Sequence, residues 1–304
     1  MLGMGYAAWS EMTLRRLEGR GEAERFLAFV HGLPAGTADE ALAQEGAGLY
    51  RAALHRLRAA GLSLLQPGRL LMPAPGGEAP WMGLFPMRGS GGLAGLMGRR
   101  YEAYCAAVRR ELAGPVFASV DRMVVLADVL SVLHQGEAAF GDMAAALGSV
   151  AAALRWRQAP GFVPGWLARL LPLRGIGRVA FVASKADHVA ARQRGNLAAL
   201  VGDLTQSRAA GVEARCFAVA AMRCTEDFVW TLEGRPVSAV RGVVAGQGMV
   251  ASYPGEVPDR RPDAGFWAYP FLQIPAFEPV RLPAVGMPQI GLDGLVDFLL
   301  GDVL

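Results

Sequence analysis

The chain is 304 residues long, enough to bury a sizeable core and to divide into two units. Apolar residues make up 53% of it and charged residues 19%, the balance of a folded protein and not of a disordered one. The net charge of +3 comes from arginines scattered among acids, with the doublets Arg15-Arg16, Arg99-Arg100, Arg109-Arg110 and Arg260-Arg261 far apart, which excludes the contiguous basic face that nucleic acids require.

Residues 1–115 read as a helical domain. Apolar groups recur at three- and four-residue spacing over 7–17, 22–30, 39–60 and 93–112, with Arg and Glu between them. Gly32-Leu33-Pro34 and the proline-bearing stretch 66–92 punctuate these segments, and the glycine-rich segment 88–98 reads as a loop. Trp9, Tyr50, Trp81, Tyr101 and Tyr104 fall at helical spacing and are expected in the core more than around a pocket.

After Gly114-Pro115 the pattern changes. Short apolar runs at 123–127, 179–183 and 216–222 alternate with helical patterns at 137–156 and 196–209, the signature of a parallel sheet with crossover helices and so of the α/β class. Residues 226–255 alternate brief apolar runs with Gly and Pro, which predicts a β-hairpin elaboration, placed within about 226–275 of a second domain spanning 116–304. The chain closes with an amphipathic helix over 292–304, expected to pack on the sheet.

Cys105, Cys216 and Cys224 are an odd number in a long chain and lack metal-ligand spacing, so they read as buried free thiols in a reducing compartment. No apolar run reaches the roughly 18–20 residues of a membrane span. The first residues have no basic region and include Glu11, unlike a signal peptide. The cytoplasm is the expected location.

The chemistry concentrates where the run 179–183 ends, at Ser184-Lys185-Ala186-Asp187. Strand C-terminal ends in open α/β sheets line ligand crevices. Lys185 is the only lysine in the protein, every other basic residue being arginine, as if a compact ammonium on a slim stem were needed there. A carboxylate at Asp187 could accept two parallel hydrogen bonds, as the N1–H and N2–H2 edge of guanine offers and adenine does not. Lys185 could lay its methylenes over the purine face. That is the logic of the Asn/Thr-Lys-x-Asp signature of GTP-binding proteins, with Ser184 in the first position. The same tetrapeptide also reads as a solvated loop in which Asp187 caps the next helix. The histidines His31, His55, His134 and His188 read as ordinary helix or loop residues, His188 being the one beside the motif. No Gly-x-Ser-x-Gly elbow is present to support an unrelated hydrolase.

The whole chain resembles the YcjX-like family of Ras-related P-loop GTP-binding stress proteins. The stretches that carry the resemblance are Tyr6-Ala7-Ala8-Trp9-Ser10, Leu62-Ser63-Leu64-Leu65-Gln66-Pro67-Gly68-Arg69, Arg99-Arg100-Tyr101-Glu102-Ala103-Tyr104, the run 121–130, the run 183–189, Tyr253-Pro254-Gly255-Glu256 and the ending 292–302. The resemblance implies a Ras-like G domain with a helical insertion before the strand that ends at Asp128. It implies GTP or GDP as ligand, with Mg²⁺ in the full-length family, and a protein partner at the membrane surface. Lys185 and Asp187 match the family's base-recognition motif, with Ser184 standing where it has Asn or Thr, and Ala221, Met222 and Arg223 match its last guanine loop. The family's Gly-x4-Gly-Lys-Ser/Thr phosphate loop has no counterpart, since the one lysine precedes Ala186. The resemblance therefore implies a sheet lacking its first strands, a shortened chain that keeps the base-binding half, and no hydrolysis by this chain alone. A non-enzymatic pseudo-GTPase scaffold is the competing expectation.

Overall fold

The structure is a computed structural model and describes residues 4–33, 36, 38–62, 83–113, 120–156, 176–205, 212–280 and 288–303. It divides into two units, Met1–Ser119 and Val120–Leu304.

In the first unit, α1 (Tyr6–Leu17), α2 (Glu24–Gly32), α3 (Glu40–Ala59) and α4 (Gly92–Val108) enclose one apolar core. Helix α3 starts where the Asp39 carboxylate accepts the N–H groups of Ala41, at 2.7 Å, and Leu42, at 3.3 Å. Its inward residues Ala43, Ala47, Tyr50, Leu54 and Leu57 repeat every three or four positions, the stripe a core-facing helix needs. Gly46 interrupts that stripe because the Phe85 ring crosses there, and a Cβ would lie 2.5 Å from it. Trp9, Tyr50, Tyr101 and Tyr104 are buried in this core, whereas Trp81 lies outside the described residues. The glycine-rich loop expected from residue 88 is shorter than the pattern suggested. Helix α4 begins at Gly92, because burying Leu93, Met97, Tyr101 and Tyr104 on one face outweighs the weak helix propensity of its glycines.

In the second unit, β1 (Arg122–Ala127), β2 (Arg178–Ala183) and β3 (Glu213–Ala218) form a parallel sheet in that order. Helices α5 (Val129–Gln135) and α6 (Glu137–Trp156) connect β1 to β2, and α7 (Ala191–Thr205) connects β2 to β3. Period-2 alternation sends Val179, Phe181 and Ala183 into a core with Leu130, Leu133, Phe140 and Leu197. Ala180 and Val182 face the other way, onto Leu295 and Phe298 of the C-terminal helix α8 (Leu292–Leu300). From Val179 to Ala183, β2 is thus apolar because both of its faces are covered. Strand β1 is equally apolar after Arg122 but less covered, and Leu126 is 70% exposed on the face where the paired Val182 is fully buried.

Three boundaries differ from the sequence pattern. The third strand, expected at 216–222, runs from Glu213 to Ala218, since Ala214, Cys216 and Ala218 are its core-facing set. Helix α7 starts at Ala191, five residues early, where Asp227 accepts the Ala191 N–H at 2.6 Å. Helix α5 has too short an apolar pattern to read and exists because Asp128 caps it. Of the thiols, only Cys105 is buried; Cys216 and Cys224 are partly accessible, Cys216 at the outer strand of the sheet.

A second sheet follows, antiparallel, of β4 (Thr225–Leu232), β5 (Arg235–Val244) and β6 (Gly248–Ser252) in that order. The β4–β5 turn is Glu233-Gly234, with φ of 49° and 77°, the double left-handed geometry that matches strand twist. Beyond β6 the described chain to Phe277 holds one 3-10 turn, Phe266–Ala268, and a single bridge from Phe277 to Val244. No helix among the described residues is long and apolar enough to cross a membrane.

Candidate functional site

Two adjacent strand ends and one turn meet at the carboxyl rim of the parallel sheet. At the end of β2 the Ser184 N–H reaches the Ala127 carbonyl of β1 at 3.0 Å, and Ser184 Oγ donates to the same oxygen at 3.3 Å. Lys185 then turns the chain with φ of 61°, left-handed backbone that costs a non-glycine residue roughly 1 kcal/mol and persists only where the surroundings hold it. A 3-10 turn, Ala186–His188, follows, and the Ala186 N–H donates to the Val219 carbonyl beyond β3 at 3.1 Å.

Lys185 points its ammonium at Asp128, the residue that ends β1, with Nζ 2.6 Å from Oδ2. Asp128 also accepts the Ser131 N–H at 3.2 Å and the Ser131 hydroxyl at 2.7 Å. Burial would raise the Asp128 carboxyl, but the hydrogen bonds from Lys185 and Ser131 outweigh it and hold the group below its usual range. The Lys185 side chain keeps 47% of its surface in solvent.

Asp187 is turned inward. Its side chain is 3% exposed, Oδ2 accepts the Cys224 N–H at 2.8 Å, and Oδ1 stands 4.0 Å from His188 Nε2. The Thr225 hydroxyl donates to the Asp187 backbone carbonyl. Asp187 is therefore a tether to the chain after β3 and not a cap of α7. Burial pushes the His188 imidazole below its ordinary range despite the neighbouring Asp187 carboxylate. Burial, and then Asp187, push the Cys224 thiol up.

The turn at Ala221, Met222 and Arg223 sits beside this tether. Ala221 and Met222 are exposed, and their N–H groups donate to no described residue. Arg223 is held firmly, its N–H on the Pro288 carbonyl at 2.8 Å and its own carbonyl on the Val280 N–H at 3.1 Å. Asp187 and the turn, 34 or more positions apart in sequence, are thus brought together, while Lys185 reaches the opposite way, to β1. Sequence reasoning missed Cys224, Thr225, Asp227 and Arg194, which bind the two halves to each other. No short-range pattern marks them, since each acts on a residue some thirty or more positions away.

A carboxylate has about four acceptor positions, of which Cys224 uses one here. Shortly before Cys224 the Ala221 and Met222 N–H groups donate to no described residue, and the half-solvated Lys185 lies on the β1 side of the loop. The Asp187 carboxylate itself is 3% exposed, so the groups that face solvent here are the Ala221 and Met222 backbone and the Lys185 side chain. Among the described residues no group of three or more His, Cys, Asp or Glu side chains is gathered as a metal would need.

A mixed α/β protein with a parallel sheet and polar loops at its carboxyl rim is the class defined by this geometry. The chain belongs to the YcjX-like family, DUF463, which it matches over residues 1–304. It is similar to a protein of Escherichia coli (strain K12) named Ras-like GTPase YcjX, 32% identical over 327 aligned residues that cover 100% of this chain and 69% of that protein. A protein of the same name from Shewanella oneidensis (strain MR-1) is 29% identical over 332 aligned residues, covering 100% of this chain and 67% of the relative.

Proposed function

We propose that this chain binds a guanine nucleotide through its base, at the rim between the 184–188 loop and the 221–223 turn. The reading rests on one observation, the bond that holds the Asp187 carboxylate to Cys224 beside Ala221 and Met222, whose N–H groups donate to no described residue. Asp187 would accept N1–H and N2–H2 of guanine, the turn would donate to the guanine oxygen, and the Lys185 methylenes would cover the ring. Because Asp187 is 3% exposed, base entry has to widen the gap between loop and turn. The names of the relatives, Ras-like GTPases, support the same ligand class. Those names extend the proposal to a Ras-like G domain, with the helical unit as an insertion before β1. A protein partner at the membrane surface and a cytoplasmic setting belong to the same reading.

Hydrolysis is assigned only to polypeptides that also supply a phosphate loop. Phosphoryl transfer depends on backbone N–H groups, a lysine and Mg²⁺ that hold and neutralise the phosphates. The sole lysine of this sequence lies in the base loop. Mg²⁺, when bound with the nucleotide, would supply charge neutralisation at the phosphates.

A scaffold without ligand is the second reading, favoured by the fact that Lys185 and Asp187 both already have partners inside the protein. Calorimetric titration with GDP, ADP and xanthosine diphosphate separates the two. Asp187→Asn exchanges an acceptor for a donor, so GDP affinity is expected to fall roughly 100-fold while xanthosine diphosphate, whose C2 carbonyl accepts, gains. A wild-type chain with no preference for GDP over ADP would leave the scaffold standing.

A further inference from the structure

Asp227, on β4, was in no candidate set, yet its carboxylate collects bonds from three separate places. Oδ1 accepts the Ala191 N–H at the start of α7, at 2.6 Å. Both oxygens accept the Arg194 guanidinium, at 3.0 and 2.9 Å. Oδ2 also accepts Arg223, at 3.2 Å. Arg194 in turn donates through Nε to the Ala186 carbonyl, at 3.0 Å, in the middle of the Ser184–Asp187 loop. Arg223 is the last residue of the 221–223 turn. One carboxylate thus ties, through two arginines, the loop to the turn.

The bidentate Arg194 pair is the kind of charge-assisted contact that fixes geometry as well as adding energy. Arg194 is 18% exposed and Asp227 32%, so solvent screens the pair only in part. The planar fork of arginine matters here: one edge holds a carboxylate while Nε reaches a carbonyl, which a lysine ammonium on a flexible stem would not hold together.

We infer that Asp227 is the positioning residue of the base site, setting the separation between the 184–188 loop and the 221–223 turn through Arg194 and Arg223. This rests on the proposed guanine reading, because the two halves then meet different atoms of one base. Asp187 meets N1–H and N2–H2 on one side and the turn meets the oxygen on the other. Their spacing decides whether both sets form at once. Base discrimination, more than overall binding, is therefore the quantity Asp227 controls.

The test has two arms on the full chain. In the nucleotide-free protein, Asp227→Asn is expected to speed amide hydrogen exchange in both 185–188 and 221–225 while amides of β1, β2 and β3 keep their protection. In titrations, the ratio of GDP to ADP affinity is expected to drop about tenfold or more, as expected for the loss of a charge-assisted hydrogen bond. Arg194→Lys, which keeps the charge and loses the fork, should reproduce both effects if Asp227→Asn fails to fold. Unchanged exchange in either segment, or an unchanged ratio beside a lowered melting temperature, overturns the positioning role and leaves only a structural one. A wild-type ratio near one would instead overturn the guanine reading and this inference with it, even if the exchange arm came out as expected.

Discussion

The two sheets of the second unit solve opposite problems. In the parallel sheet, β2 is buried on both faces and spends its side chains on packing, so polar groups appear only where the strands stop. In the antiparallel sheet, β4 and β5 keep many residues in solvent, Val229 being 71% exposed, and their polar side chains are free to reach elsewhere. The parallel sheet supplies the rim on which the candidate site stands, and the antiparallel sheet supplies the braces Asp227 and Thr225. The site is an edge of one sheet trimmed by the other.

That division predicts very unequal mutational costs. Phe181→Ala, at 2% exposure in β2, should lose about 3–5 kcal/mol in chemical denaturation, whereas Val229→Ala in β4 should stay within about 0.5 kcal/mol. Equal costs would mean that β4 is covered in solution. The contact between the second sheet and its surroundings is probed by Gly242→Ala. A Cβ there would sit 2.6 Å from the Cys224 carbonyl and 2.8 Å from the Phe277 ring, so a loss of roughly 1–3 kcal/mol is expected, with the turn at 221–224 disturbed as well. A neutral Gly242→Ala would show that the sheet slides freely on the rim.

The smallest effect is a pH dependence at the rim. Burial holds the His188 imidazole below its ordinary value of 6.5, with Asp187 and Asp128 pulling it up and Lys185 pulling it down. The folded protein therefore favours the neutral ring, and the unfolded chain takes up the proton first. His188 contributes its full stability above pH 6.5, and that contribution is lost as pH falls below it. Melting temperature should decline between pH 7 and pH 5 in the wild type, with a shallower slope in His188→Asn. An identical slope would place the titrating group elsewhere.

Much of this architecture was legible before any coordinates. Helix α6 matches its apolar periodicity from Glu137 to Trp156, and β2 was readable as an unbroken apolar run closed by Ser184. The 184–187 loop was legible for the same reason, because polar residues that end a buried run stand out, whereas the 221–223 turn came from the family resemblance alone. Their actual partners were not. The Lys185 sequence neighbourhood holds nothing that points to Asp128, 57 positions earlier.

By itself the sequence determined most of the longer helices and the buried strand β2, together with the point where that strand opens to solvent, since periodicity and breakers act over a few residues. Tertiary structure alone decided that Asp187 faces inward to Cys224, that α7 begins five residues early on Asp227, and that β1 keeps Leu126 in solvent. Those outcomes depend on strand register and on hydrogen bonds between residues some 36 to 37 positions apart, and such distances leave no local pattern to read.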